Sequence, residues 1–472
     1  MRGFALALGV AASSAMLLLA AQAAPVRHAS AVAEVPDAIV TAAPAYQPLA
    51  ALDGGERFPQ GAQLLLIHAG KAEPLAKEFA ASADANVSFD GKRVLFAAKK
   101  TASDPWQIWE MTLVDRAVRR VIGDASDAIR PFYLPSGQLI FARKTAAGFA
   151  VVRAGAEQSS YTAALDEQAD QTEQVLTPIP ASVIPDDVLR DGRILFESKF
   201  PLGEGKTAEL FLMYSDGSGV ESYRCDHGRA RWGGHQLASG DVVFTHGASL
   251  GRFTSPLAHE VAVTAPRLEF AGGLAETASG AWLVSARASA SAKFALKLWK
   301  PGAAAIETVY AQAGTELVEP AIVGERERPH HHPSSLHPWK HANLLALDAR
   351  QSREGDLKTA PKTVRLETLD AKGKVQTNGT APVESDGSFF VQIPGDRPVR
   401  FVLLDENGKP VRQQHGWFWS RSGEQRYCVG CHTGPERGAE NQVPKTLLQS
   451  TTPVDLTGAK HAETNKTEAG SK

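Results

Sequence analysis

Sulfur is scarce in this chain, whose 472 residues include three cysteines and four methionines. The cysteines are Cys225, Cys428 and Cys431, and an odd number of them indicates that the fold is not a disulfide scaffold. At least one cysteine therefore has a role other than a disulfide, or no role.

An excess of charge of either sign is also absent. The formal net charge is −2, with 43% hydrophobic and 22% charged residues. No basic field predicts a nucleic-acid partner, and no acidic excess predicts disorder. The length and composition predict an ordinary globular protein of about two to four domains.

Long apolar runs are missing everywhere except at the N-terminus. There, Arg2 precedes FALALGVAASSAMLLLA, and AQA follows at 21–23. This pattern predicts a signal peptide (1–23) cleaved after Ala23, with an uncleaved anchor as the alternative. No cysteine follows the cleavage site, so a lipoprotein anchor is not expected. No later run approaches about 18 apolar residues, so we expect a periplasmic or secreted protein without a membrane span.

Short turns and β-rich runs repeat along residues 61–328. Each unit places a glycine-containing turn directly before an apolar run, and several units have a second β run after it. Units of about 40–50 residues are typical of propeller blades, which stack because one blade cannot bury both of its faces. The turn glycines are Gly91, Gly137, Gly192, Gly240 and Gly280. The repeats resemble those of the TolB-type β-propeller.

The predicted fold class is therefore all-β. We expect six blades, with seven as the alternative, and a first or last blade shared between the two chain ends. A pair of β-sandwiches with coincidental turns is the other interpretation. The predicted organisation is a linker (24–60), a β-propeller (61–328), a connector (329–342), a small β-sandwich (343–412), a loop-rich haem-attachment segment (413–450) and a disordered tail (451–472).

The motif C-x-x-C-H spans residues 428–432 and predicts covalent attachment of one c-type haem. Cys428 and Cys431 would form the two thioethers, and His432 is the default proximal ligand of the iron. A zinc corner would need a second ligand pair, and a thioredoxin-like dithiol would need a βαβ context. His415 is the nearest candidate in the sequence for a distal ligand, with a surface polar residue as the other interpretation.

A second dense stretch, YRCDHGRARWGGHQ, covers residues 223–236. Cys225 and His227 are candidates for a zinc site there, and Arg229 and Arg231 are candidates for holding haem propionates. The alternative interpretation is a buried thiol beside a charged loop.

Residues 381–434 resemble the middle domain of the hydrazine synthase alpha subunit and its relatives. In that family a D-G-S-F element and an F-x-L-L-D strand precede G-E-x-x-x-C-x-G-C-H. This chain has the same residues at 386–389, 401–405 and 423–432. The family also has an N-terminal propeller, so we expect the resemblance to extend over most of the mature chain.

This resemblance implies a covalent haem at Cys428 and Cys431. It also implies that His432 could turn to a zinc shared with a propeller cysteine, for which Cys225 is the candidate. Glu436 stands where the family places an iron-binding tyrosine, and there is no second C-x-x-C-H motif. Hydrazine synthesis is therefore not expected.

Three functional hypotheses follow. The first is an exported mono-haem protein with an electron-transfer or redox role and a redox partner protein. The second is a haem enzyme that acts on a small nitrogen or oxygen species at an open iron site. The third is a propeller binding module with an accessory haem. The sequence leaves the oligomeric state open.

Overall fold

The computed structural model describes residues 35–155, 173–199, 207–224, 228–256, 258–352, 355, 357–370, 373–430 and 443–458. The predicted signal peptide lies outside the described residues. Among the residues described, no helix combines the length and apolar character that a bilayer crossing requires.

The N-terminal part is a β-propeller of six four-stranded antiparallel sheets. Blade one contains β1 (Ala38–Ala43), β2 (Gln63–His68), β3 (Lys71–Pro74) and, as its innermost strand, β24 (Glu316–Ile322). Blade two contains β4 (Ala81–Val87), β5 (Arg93–Lys99), β6 (Gln107–Thr112) and β7 (Val118–Ile122). Blade three contains β8 (Ala128–Tyr133), β9 (Leu139–Thr145), β10 (Gly148–Ala154) and β11 (Gln174–Val175).

The other three blades follow in chain order. Blade four contains β12 (Val183–Val188), β13 (Ile194–Ser198), β14 (Glu209–Met213) and β15 (Glu221–Ser222). Blade five contains β16 (Trp232–Gln236), β17 (Val242–His246), β18 (Ser249–Phe253) and β19 (Val261–Ala262). Blade six contains β20 (Glu269–Glu276), β21 (Trp282–Arg287), β22 (Ala295–Trp299) and β23 (Glu307–Tyr310). Innermost strands of neighbouring blades contact each other around the ring.

The two ends of the propeller sequence share blade one, as expected, because β24 pairs with β1. The propeller therefore begins at Ala38, inside the segment that the sequence analysis placed in a linker. All six residues of β1 are buried. A strand covered on both sides has no polar alternation, so the period of two that marks a strand was absent from this segment.

The five repeated glycines lie in the turns between the first and second strands of blades two to six. Each has a positive φ, between +70° and +93°. We call the propeller end that carries these turns the turn face, and the other end the strap face. At Gly91 a Cβ atom would lie 2.6 Å from the carbonyl carbon of Gly324. This turn therefore requires glycine both for its φ and for the close approach of the connector.

The connector between β24 and the second domain has no strand and crosses the turn face. Arg326 places its guanidinium 4.3 Å from the ring centre of Phe89 in blade two. The amide of His330 donates to the carbonyl of Arg190 in blade four (2.8 Å). The ring of His332 makes an edge-to-face contact with Tyr214 of the same blade. These contacts fix the start of the second domain over blade four.

The second domain is a β-sandwich of two four-stranded sheets. One sheet contains β25 (His341–Ala346), β28 (Phe389–Pro394), β31 (Gln425–Cys428) and β32 (Val454–Asp455). The other contains β26 (Thr363–Leu369), β27 (Val375–Pro382), β29 (Val399–Leu404) and β30 (Pro410–Gln413). A short 3₁₀ helix (Ala50–Asp53) in the propeller and α1 (Lys445–Gln449) complete the described elements.

The sandwich extends beyond the predicted 343–412 at both ends. Its first strand starts at His341, inside the predicted connector, and β31 and β32 follow its predicted end. The tail was expected to be disordered, but β32 pairs with β28 and the next residue, Leu456, is 2% exposed. Leu456 explains the difference, because the burial of one apolar side chain can hold the short strand beside it against the sheet, while β32 itself stays partly exposed.

Candidate functional site

Cys428 is the last residue of β31, an edge strand of the sandwich. It pairs in parallel with Ala346 of β25, and its carbonyl accepts the amide of Leu347 (2.8 Å). Its thiol packs against the apolar interior of the sandwich and donates to the carbonyl of Gly430 (3.4 Å). Burial raises the pKa of this thiol. The side chain is therefore held as a neutral thiol rather than a reactive thiolate.

The two neighbours of Cys428 have exposed apolar side chains. Tyr427 is 72% exposed and Val429 is 47% exposed. Successive residues of a strand point to opposite sides, so Tyr427 lies on the outer side of the sheet while Cys428 lies on the inner side. On that outer side Tyr427 is the cross-strand neighbour of Leu345, which pairs in turn with Phe390. The motif thus begins beside an apolar surface.

The start of β31 is bonded to blade four of the propeller. Glu424 accepts the amide of Gly219 (3.2 Å) and the amide of Arg421 (2.7 Å). Arg426 donates to the carbonyls of Val220 and Trp419. Burial raises the pKa of Glu424 and is the main reason for the shift. The strand that carries Cys428 is therefore fixed to both domains.

The aromatic residues before the motif divide between the two domains. Trp419 is 1% exposed and packs in the propeller with Phe196, with ring centres 6.4 Å apart. Phe418 packs against the sandwich interior, and Trp417 lies 4.5 Å from the guanidinium of Arg400. Neighbouring rings of one short segment therefore pack into different domains, Phe418 into the sandwich and Trp419 into the propeller.

The sequence analysis missed Arg421, Glu424 and Arg426 as anchors of the site. Arg421 donates to the carbonyl of Val175 in blade three (2.8 Å) and pairs with Asp396 (3.1 Å). The available signal was weak, because R-S-G-E-Q-R reads as an ordinary polar turn. Only the packing of the two domains shows that these charges are shielded from solvent.

Cys431, His432, Cys225 and His227 lie outside the described residues, but their chain neighbours are described. Val220, which accepts from Arg426, directly precedes β15, the outermost strand of blade four. Arg224, which directly precedes Cys225, lies four residues after Val220. An extended chain covers about 13 Å over four residues. Arg426, two residues before Cys428, and Arg224, one residue before Cys225, are therefore both close in the chain or in space to β15 of blade four.

The remaining candidate side chains have other surroundings. His415 is exposed and follows β30. His235 pairs with Asp187 (3.0 Å), and Arg231 pairs with Glu260 (2.7 Å), which also contacts His246 (2.7 Å). The described part of the chain contains no group of three or more His, Cys, Asp or Glu side chains arranged to hold a metal.

These features define a six-bladed propeller joined to a β-sandwich whose edge strand begins a C-x-x-C-H motif. Residues 340–433 match the family described as "Hydrazine synthase alpha subunit middle domain". The chain is therefore related to the hydrazine synthase alpha subunit through this domain. No curated protein matches the chain by sequence.

A solved structure shows the same fold. Hydrazine synthase of Kuenenia stuttgartiensis superimposes with a TM-score of 0.75 over 88% of this chain and 71% of that chain, at 17% identity. TolB of Acinetobacter baumannii matches with a TM-score of 0.44, 12% identity, 61% of this chain and 66% of that chain. At 17% identity, the similarity to the Kuenenia enzyme establishes the arrangement of propeller and sandwich, and the chemistry has to be argued from the residues.

Proposed function

We propose that the protein is an exported mono-haem c-type protein with an electron-transfer or redox role. The position of Cys428 supports this proposal most strongly. It begins the attachment motif at the end of a strand bonded to the sandwich on one side and to blade four on the other. A cofactor attached at such a point is held by rigid elements of two domains, which suits one-electron transfer to a redox partner protein.

The residues present fit a covalent haem. Cys428 and Cys431 would supply the two thiols that add across the vinyl groups, and Tyr427 and Val429 offer apolar surface beside Cys428. The thiol of Cys428 faces the sandwich interior. The thioether would therefore have to form before the end of β31 pairs with β25, or the end of β31 would have to turn outward first. Cys428 and Cys431 would hold the macrocycle, and His432 is the proposed axial ligand.

Expression together with a haem-attachment system tests the proposal. We expect one covalent haem per chain by mass spectrometry and by the pyridine haemochrome spectrum. Cys428→Ala and Cys431→Ala should each reduce covalent attachment to one thioether, and the double variant should carry none. Cys225→Ser is the matched control and should retain the haem. A wild-type protein without covalent haem would overturn the proposal.

The spectrum of the purified protein distinguishes a redox carrier from an enzyme. A six-coordinate low-spin spectrum supports electron transfer, with His415 as one candidate for the second axial ligand. Loss of that spectrum in His415→Ala, with covalent haem retained, would assign the ligand. A high-spin spectrum that shifts with nitric oxide would instead favour a haem enzyme with an open iron position.

A zinc ion held with the help of Cys225 and His227 is a separate part of the proposal. It is supported by the placement of Val220 and Arg224 on one outer edge of blade four. Elemental analysis should find about one zinc per wild-type chain and a marked loss in Cys225→Ser. Equal zinc content in the two proteins would remove zinc from the proposal and leave the haem unaffected.

A further inference from the structure

Residues 46–58, here called the strap, cross the strap face of the propeller between β1 and β2. They contain the 3₁₀ helix and close on themselves through the amide of Gln47, which donates to the carbonyl of Arg57 (2.9 Å). Ion pairs tie the strap to the ends of two other blades, Glu56 to Lys99 of blade two (3.1 Å) and Asp53 to Lys199 of blade four (2.6 Å). The strap therefore lies across the end of the ring.

The six innermost strands share one irregularity under the strap. In each of them the pairing with the second strand shifts register midway, which marks a β-bulge. Bulges re-aim side chains and are common beside functional sites. In four blades a charged residue lies at the bulge, and in the other two blades glycines do. The charged residues are Asp84, Arg130, Asp186 and Glu319.

Arg57 of the strap reaches these bulges and is only 5% exposed at its side chain. One terminal nitrogen pairs with Asp84 (2.6 Å) and the other with Glu319. Tyr46, also in the strap, donates to the same oxygen of Glu319 (3.1 Å). The guanidinium carbon of Arg57 also lies 5.1 Å from the ring centre of Phe58. A planar guanidinium can bridge two carboxylates and stack on a ring at once, whereas a lysine ammonium cannot.

The site under the strap contains more carboxylates than arginines. Among the described residues, Asp84, Asp186, Glu197 and Glu319 face Arg57 and Arg130 there. The side chain of Glu319 is 9% exposed, and its Oε2 atom is buried without a hydrogen-bond partner in the described part of the chain. A buried carboxylate oxygen without a partner is costly, so it identifies a place that favours a further donor.

We propose that the propeller axis is a guanidinium-binding site that the chain fills with its own Arg57, so that the strap acts as a latch over the channel. The site consists of Asp84 and Glu319 on opposite sides of the guanidinium, with an aromatic ring beside it. Withdrawal of the strap exposes a well that recognises a guanidinium group, such as the arginine side chain of a partner. This site is separate from the C-x-x-C-H motif and does not depend on the haem.

Chemical rescue of Arg57→Ala in the full-length chain tests the proposal. The variant should lose about 10 °C in Tm, because Asp84 and Glu319 each lose a buried guanidinium partner, and its strap should become sensitive to protease. Millimolar methylguanidinium should restore most of the loss, whereas methylammonium should not. Rescue by both cations alike, or by neither, would overturn the proposal.

Two further variants keep the test decisive. Arg57→Ala/Glu319→Gln should lose the response to methylguanidinium, because one of the two carboxylates is gone. Arg93→Ala, which removes a half-exposed ion pair with Glu110, is the matched control and should show no rescue. If Arg57→Ala does not fold alone, refolding in methylguanidinium but not in methylammonium supports the site, and failure in both contradicts it.

Discussion

The propeller axis and the interior of the sandwich bury side chains of opposite character. The axis is lined by Arg57, Arg130 and four carboxylates, and ion pairs join residues of four blades and the strap there. The sandwich interior contains apolar side chains, with Phe389 and Phe401 in edge-to-face contact at 5.2 Å. An apolar interior tolerates small changes of shape, whereas a charged one depends on every partner being present.

Removal of one axial charge should have the largest effect. Arg130 pairs with Asp186 (3.0 Å) and Glu319 (3.0 Å), and its side chain is 14% exposed. Arg130→Met keeps most of the volume but leaves both carboxylates short of a partner, so we expect a loss of about 3–5 kcal/mol in the free energy of unfolding. Urea denaturation of the wild type and the variant measures this loss.

The charged character of the axis can be separated from its packing by a double variant. Arg130→Met/Glu319→Gln should recover part of that loss, because one of the stranded charges is removed. If Arg130→Met alone changes the unfolding free energy by less than about 1 kcal/mol, the axial ion pairs behave like surface pairs. The contrast with the sandwich would then fail.

The pH dependence of stability should come next in size. Burial, with the adjacent Glu197 second, raises the pKa of Asp186 well above its usual range, and burial also raises the pKa of Glu197. The folded chain therefore keeps protons that the unfolded chain releases near pH 4. Stability from these groups is present below about pH 4 and is lost as pH rises, by up to about 1.4 kcal/mol per pH unit for each proton.

Asp186→Asn should consequently flatten the decline of unfolding free energy above pH 4. Asp187→Asn is a matched control with the opposite sign. Burial acts to raise the pKa of Asp187, but His235, the amide of Gln236 and Arg326 together outweigh it and the pKa is lowered. Stability from Asp187 is therefore present above about pH 4 and lost as the pH falls. If the two variants shift the pH profile in the same direction, the assignment of the axial protons is incorrect.

The same difference between the regions explains what the sequence could predict. The blades were predictable because each turn glycine has a φ that other residues avoid, and each is followed by an apolar run. The C-x-x-C-H motif could be recognised because its residues lie within five consecutive positions, and the haem that it predicts stays a prediction. The predicted count of six blades is confirmed.

The axial site was not predictable, because its residues come from distant strands and meet only when the ring closes. In SADANV and AIRPFY, the charges of Asp84 and Arg130 interrupt the apolar alternation and look like surface residues. Bulges turn them inward, and bulges have no clear mark in a single sequence. The anchors Glu424 and Arg426 were missed for a related reason, since their burial depends on a second domain.

A methylene removed from the sandwich should have a smaller effect than a charge removed from the axis. Ile393 is fully buried between the two sheets. Ile393→Val should reduce the free energy of unfolding by about 0.5–1.5 kcal/mol, because the interior can partly close the gap. Val375→Ala is the control, because Val375 lies in the facing sheet and is 40% exposed. It should reduce the free energy of unfolding by less than Ile393→Val does. Equal losses would mean that this interior is loosely packed.

The smallest effect is expected at the surface beside the attachment motif. Tyr427 is 72% exposed, whereas Leu345, its neighbour on the adjacent strand, is buried and only 7% exposed. In haem-free protein, Tyr427→Ser should change the free energy of unfolding by less than about 0.5 kcal/mol, since little apolar area is buried there. In haem-loaded protein the same substitution should have a larger effect, because the macrocycle would cover the ring. Equal effects in both forms would show that the haem does not pack against Tyr427, and a large effect without haem would show that the ring is buried by the chain itself.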